Sequence, residues 1–197
     1  KGPWFDNAVF SQGPRMNNRR TFFGLAQISR RQFAFGGWGG GARTTEVMDL
    51  EERSMEFLRG PDMQIARYYC AAVSMDEQRI LVVGNLYLNT TEILSFSQDG
   101  TPAFTQGPNL LRAREYHAAI SLDAHRVLVI GGRDSNSFAL TSTEVLNLED
   151  ISVSAGPDMS CARVGCAAVR LDVRRILVLG GNEGRNVLNT SEVLDVE

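Results

Sequence analysis

The stretch from Gly60 to Phe96, GPDMQIARYYCAAVSMDEQRILVVGNLYLNTTEILSF, decides the fold because the chain writes its plan four times. Gly-Pro stands at Gly13-Pro14, Gly60-Pro61, Gly107-Pro108 and Gly156-Pro157, at spacings of 47, 47 and 49 residues. Seven residues after each of these glycines comes an arginine: Arg20, Arg67, Arg114 and Arg163. Farther on, an apolar run closes on glycine in Phe33–Gly37, Ile80–Gly84, Val127–Gly132 and Ile176–Gly181. A Thr/Ser-Glu-Val/Ile signal then places Glu46, Glu92, Glu144 and Glu192. Agreement at four landmarks in four copies defines one structural unit.

Inside a unit the apolar residues alternate with a period of two, and no stretch has the 3.6-residue period of a useful amphipathic helix. Tyr69–Val73, Ile80–Val83, Glu92–Phe96 and Ala103–Thr105 read as four short strands, here a, b, c and d, parted by Gly, Asn, Asp and Pro. Asp76-Glu77, Asp123-Ala124-His125 and Asp172-Val173 read as the tight turns joining a to b. A d-like segment, Phe5–Phe10, precedes the first Gly-Pro and brings the strands to sixteen. The expected fold is therefore all-β. It is a β-propeller with four blades of four antiparallel strands, in which the opening strand completes the last blade and leaves no open edge. Residues 1–197 form one domain, with units at about 13–59, 60–106, 107–155 and 156–197 plus the closing strand 5–10.

The unit resembles the kelch repeat, which has an apolar strand, a double glycine and aromatic residues on the outer strands. Gly36-Gly37, Gly131-Gly132 and Gly180-Gly181 match the double glycine, and Gly84-Asn85 departs from it while still tolerating a left-handed backbone. The family's following tyrosine is replaced by Met48, Leu94, Leu146 and Leu194, and its outer tryptophan by Phe10, Phe57, Phe104 and Val153. The resemblance spans nearly the whole chain. It implies a protein-binding propeller, and it brings an alternative architecture, a fragment of a six- or seven-bladed ring.

Composition narrows the function. With 20 Lys and Arg against 23 Asp and Glu the net charge is −3, which offers no footprint for nucleic acid or an anionic membrane. The longest apolar runs fall far short of the ~20 residues of a membrane helix. Three cysteines make no disulfide framework, and two histidines supply few metal ligands. The first 25 residues lack a signal-peptide pattern, and a start at Lys1 points to a processed chain or an excerpt. A soluble protein is expected, cytoplasmic or organellar rather than secreted.

Strand a, nearest the axis, carries small residues at Gly24, Ala71, Ala118 and Ala167, and again at Ala72, Ala119 and Ala168, as crowded neighbouring blades require. Arg20, Arg67, Arg114 and Arg163 begin strand a, while Glu46, Glu92, Glu144 and Glu192 begin strand c at the same edge. A structural ion pair in every blade is the expectation, in preference to a ring of arginines for an acidic ligand. Phe23, Cys70, His117 and Cys166 share one repeat position. Burial beside the alanines explains that series better than a metal, and no metal or cofactor is expected. Asn89-Thr90-Thr91 and Asn189-Thr190-Ser191 match the glycosylation sequon, yet hydroxyls recur there without Asn and are read as caps of the b–c turn.

The units disagree in the b–c connections, which run ten, eight, thirteen and twelve residues from strand-b glycine to glutamate. Trp38, Arg43, Tyr87, Arg133, Asp134, Phe138 and Arg185 lie there and are the candidate partner-binding residues, since recognition usually sits in loops on a rigid scaffold. The glycine-rich Gly36–Gly41 stretch lacks the lysine of a phosphate loop. The functional expectation is a non-catalytic interaction module, an adaptor or a structural subunit of a larger assembly, gripping protein partners through the b–c and d–a loops. The rival class is an enzyme or carbohydrate-binding propeller of the epimerase or oxidase kind. With only His117 and His125 available, no nucleophilic triad or copper ligand set can be assembled.

Overall fold

The computed structural model describes residues 9–52 and 55–196. Within them the chain forms fifteen β-strands and no helix. Blade 1 consists of β1 (Gly24–Ile28), β2 (Arg31–Phe35), β3 (Thr45–Asp49) and β4 (Leu58–Arg59). Blade 2 holds β5 (Ala71–Ser74), β6 (Arg79–Val83), β7 (Thr91–Phe96) and β8 (Pro102–Gln106). Blade 3 holds β9 (Ala118–Ser121), β10 (Arg126–Ile130), β11 (Thr143–Asn147) and β12 (Ser152–Ala155). Blade 4 holds β13 (Ala167–Arg170), β14 (Arg175–Leu179) and β15 (Ser191–Asp195). Each sheet is an antiparallel meander in chain order, and the whole is a four-bladed β-propeller.

Blade 4 has three strands among the described residues. The closing strand 5–10 lies outside them except for Val9 and Phe10, which are exposed and belong to no strand. The innermost strands pack in series, β1 on β5, β5 on β9 and β9 on β13. Period-two alternation gives every blade two apolar faces, and the leading face of blades 1, 2 and 3 packs on the trailing face of the blade that follows. Ala26, Ile28, Phe33 and Phe35 on the leading face of blade 1 meet Ile80, Val82 and Leu94 on the trailing face of blade 2. Val73, Leu81, Val83 and Ile93 likewise meet Val127, Val129 and Leu146, and Ala118, Leu128 and Ile130 meet Ile176 and Val178.

Close approach explains the small residues of strand a. A Cβ on Gly24 would stand 3.0 Å from the Ala72 Cβ of the next blade. The first glycine of the pairs in blades 1 and 3 has a stricter reason. On Gly36 or Gly131 a Cβ would lie 2.5 Å from the carbonyl oxygen of Arg67 or Arg163 in the following blade, and both glycines have φ near +60°. The second glycine ties the blades directly, with Gly37 N–H donating to Arg67 C=O at 2.9 Å and Gly132 N–H to Arg163 C=O at 2.8 Å.

Two local expectations fail. Asn85 is not left-handed; only Gly84 of that pair has positive φ. Its buried amide instead donates to Ala66 C=O and accepts the Leu86 N–H, each at 2.7 Å, so the side chain turns the backbone by bonding it. Strand a of blade 2 starts at Ala71 rather than Tyr69, whose φ of 56° takes it out of the sheet.

Gly131→Ala is expected to cost about 1–3 kcal/mol of stability in urea unfolding through backbone strain and collision. Gly13→Ala, with nothing within 4 Å of the added methyl, should stay within about 0.5 kcal/mol.

Candidate functional site

The d–a and b–c connections meet at one edge of the blades, and a repeated polar clasp builds that rim. Arg20 approaches Glu46 at 2.9 Å, Arg67 approaches Glu92 at 3.0 Å and Arg163 approaches Glu192 at 3.1 Å, while Arg114 bonds Glu144 in the same way. All four arginine side chains are 0–1% exposed. Each guanidinium also donates to the carbonyl of the strand-b glycine (Gly36, Gly84, Gly131 or Gly180) and to a carbonyl just before strand c. Each carboxylate accepts backbone N–H groups of its d–a loop, at Asn17 and Asn18, Gln64 and Ile65, Leu111 and Arg112, and Ser160. Three segments of one blade are thus stitched at a single buried pair.

The paired hydroxyls before each glutamate complete the clasp. Thr44, Thr90, Ser142 and Thr190 accept from the arginines. The hydroxyls of Thr45, Thr91 and Thr143 donate to the carbonyls of Pro61, Pro108 and Pro157 at 2.7–2.8 Å. A Cβ on Gly60, Gly107 or Gly156 would collide with that hydroxyl, which accounts for the glycine at three of the four Gly-Pro landmarks. Asn89 of the first sequon donates its amide to Leu110 C=O at 2.7 Å.

On this floor the b–c loops are held by short bridges, Thr21 with Trp38, Glu115 with Arg133 and Val164 with Asn182. Trp38, Tyr87 and Phe138 are exposed, and the Trp38 ring stands 5.4 Å from that of Tyr68. Arg185 is exposed, while Arg43 is exposed with its Nε donating to Met63 C=O. Arg133 is committed, since its Nε donates to the buried Glu115 at 2.7 Å and its guanidinium sits 5.4 Å from the Tyr116 ring centroid. Asp134 is buried and holds its own turn, accepting the N–H groups of Asn136 and Phe138.

The residues that sequence reasoning passed over are Phe22, Tyr69 and Tyr116. They occupy one repeat position, two residues after the arginine, and Gly165 fills it in blade 4. All four are left-handed, with φ of 55°, 56°, 53° and 71°. The rings gather where the innermost strands begin, Phe22 to Tyr69 at 4.7 Å, Tyr69 to Tyr116 at 4.4 Å and Phe22 to Tyr116 at 5.6 Å. Burial, reinforced by a hydrogen bond with Tyr69, raises the Tyr116 phenol to about 12. A hollow of about 260 Å³ lined by Tyr116, Arg133, Ser137, Asn182 and Gly165 opens beside the cluster. Aligning the four units two residues past each arginine would have revealed the series.

Cys70, His117 and Cys166 face three different blade interfaces. Cys70 Sγ lies 3.7 Å from Phe35 C=O, Cys166 Sγ lies 4.0 Å from Ile130 C=O, and the His117 ring fills the space over Gly84. Among the described residues no three His, Cys, Asp or Glu side chains cluster as a metal site would require. No protein-family model and no curated protein matches the chain.

Glu92→Ala strands the buried Arg67 guanidinium and is expected to destabilise the fold by about 3–5 kcal/mol in chemical unfolding. His117 supplies a pH test. Burial, followed by the Arg114 charge, lowers its pKa from 6.5 to about 3. The unfolded chain therefore binds a proton there that the folded one refuses, and stability falls as pH drops from 6.5 toward 3. His117→Cys, the residue present at this position in blades 2 and 4, should flatten the fall in urea midpoint between neutral pH and pH ~4. An unchanged slope would remove His117 from the acid response.

Proposed function

We propose that this propeller is a non-catalytic protein-binding module of the kelch type, an adaptor or assembly subunit that grips its partner across the rim of b–c and d–a loops. The observation that carries the reading is the set of three left-handed aromatic residues, Phe22, Tyr69 and Tyr116. A bulky side chain in that conformation costs of order 1–3 kcal/mol, and such strain gathers at ligand clamps. Gly165 shows that the backbone takes the same turn with no side chain at all. The rings are thus retained for what they present. Phe22 is exposed and Tyr69 and Tyr116 are half-buried, while the exposed Trp38 and Phe138 stand on b–c loops of the same rim, the chemistry of interface anchors. Arg133 sits against the Tyr116 ring, Asp134 holds the turn that carries Phe138, and Tyr87, Arg43 and Arg185 are further exposed residues of the b–c loops. The double-glycine strand end and the meander blades support the kelch assignment, while Met48 and Leu94 at the family's tyrosine position mark divergence.

The test compares affinity capture by the wild type with capture by two double variants, Tyr69→Gly with Tyr116→Gly, and Trp38→Ala with Phe138→Ala. Circular dichroism checks that each remains folded. Both variants should lose the captured protein, and His117→Cys should retain it. Equal capture by all four chains would refute the assignment of binding to this rim.

A further inference from the structure

Blade 4 turns an apolar leading face to solvent. The strand-b residues of that face are 0–2% exposed in blades 1–3, as Phe33 and Phe35, Leu81 and Val83, Leu128 and Ile130. Their counterparts in blade 4 are Leu177 and Leu179, flanked by Val169 and Val193, where blade 2 has Val73 and Ile93. The apolar chemistry is the same, yet Val169, Leu179 and Val193 are 47%, 40% and 55% exposed. At the other end, the trailing face of blade 1 exposes Leu25 by 58% and Leu50 by 44%. In blade 2 those positions hold Ala72 and Phe96, both packed against blade 1. Among the described residues, one half of each kind from the interface made three times internally is therefore left unpaired.

We propose that the leading face of blade 4 docks on the trailing face of blade 1 in a second copy of this chain, head to tail. The occupant is argued from continuity with the internal interfaces, including their polar contacts. On two of the three internal trailing faces, those of blades 2 and 4, the strand-a residue donates back to the preceding blade. Ser74 Oγ bonds Gln27 C=O at 2.5 Å, and Arg170 bonds Ser121 C=O at 2.6 Å. Gln27 holds this position in blade 1, where its amide donates to Ser29 C=O at 2.8 Å and accepts from Gln32, so it enters the interface without an unpaired oxygen. Gln32 stands where the other blades have Ile80, Val127 and Ile176, but its amide already donates to Gln27 and enters the interface satisfied. The contact is heterologous, so the assembly either closes as a ring or extends. It is independent of the loop rim.

Sedimentation velocity over micromolar to hundred-micromolar protein tests the proposal. The wild type should form dimers or larger species. Leu179→Arg and Leu25→Asp should each weaken association at least ~10-fold, leaving monomers with unchanged circular dichroism. Val193→Lys replaces Leu179→Arg if that variant loses its fold. An equimolar mixture of the two variants should recover a one-to-one dimer, because each keeps one sound half. A wild-type monomer throughout would assign the face to another occupant and overturn the proposal. A Leu25→Asp chain that still dimerises, or a mixture that stays monomeric, would overturn it as well.

Discussion

The structure depends on a buried arginine–glutamate pair made once per blade. A guanidinium taken out of water is tolerable only when nearly every N–H finds an acceptor, and a buried carboxylate needs its lone pairs filled. That demand reaches outward from Arg67 and Glu92. The arginine requires the free carbonyl of Gly84 at the end of strand b and that of Thr90 before strand c, and the glutamate requires the N–H groups of Gln64 and Ile65. Satisfying one pair fixes where three segments begin and end. The regularity of the blade follows from completing those hydrogen bonds.

Glu46 and Glu192 show the balance of forces in the clasp. Burial pushes each carboxyl up, but N–H donors from the d–a loop, with Arg20 or Arg163, outweigh it and leave both below the ordinary carboxylate value. These groups stabilise the fold at neutral pH and lose that contribution as acid protonates them. The guanidinium of Arg67 moves down for the matching reason, since burial disfavours its charge more than Glu92 restores it.

Much of this was legible in the sequence because the physical demands recur. Period-two alternation and four spaced Gly-Pro-to-Arg intervals specify blades, and Arg and Glu at matched ends of strands a and c specify the pairing. Individual adjustments were not legible. Asn85 reads as a left-handed substitute for glycine, but a side-chain amide can turn the chain by hydrogen bonding, and which route is taken depends on the Ala66 carbonyl nearby. Tyr69 continues the apolar run of strand a in pattern, while its backbone leaves the sheet to bring three rings together. Asp134 reads as a loop charge open to a partner, and the turn consumes it. Arg133 is spent similarly on Glu115 and Tyr116, because only three-dimensional proximity sets who claims a loop side chain.

The clasp's ion pair also lies inside a blade, whereas the joint between blades is made of a few backbone bonds, such as Gly37 N–H to Arg67 C=O and Tyr69 N–H to Phe22 C=O, with aliphatic contact around them. A unit thus arrives with its own internal fastening and a standard fitting on either side. Duplicating or deleting one such length of gene would leave every remaining unit intact, so this architecture can grow or shrink in whole steps while its surface connectors diversify freely.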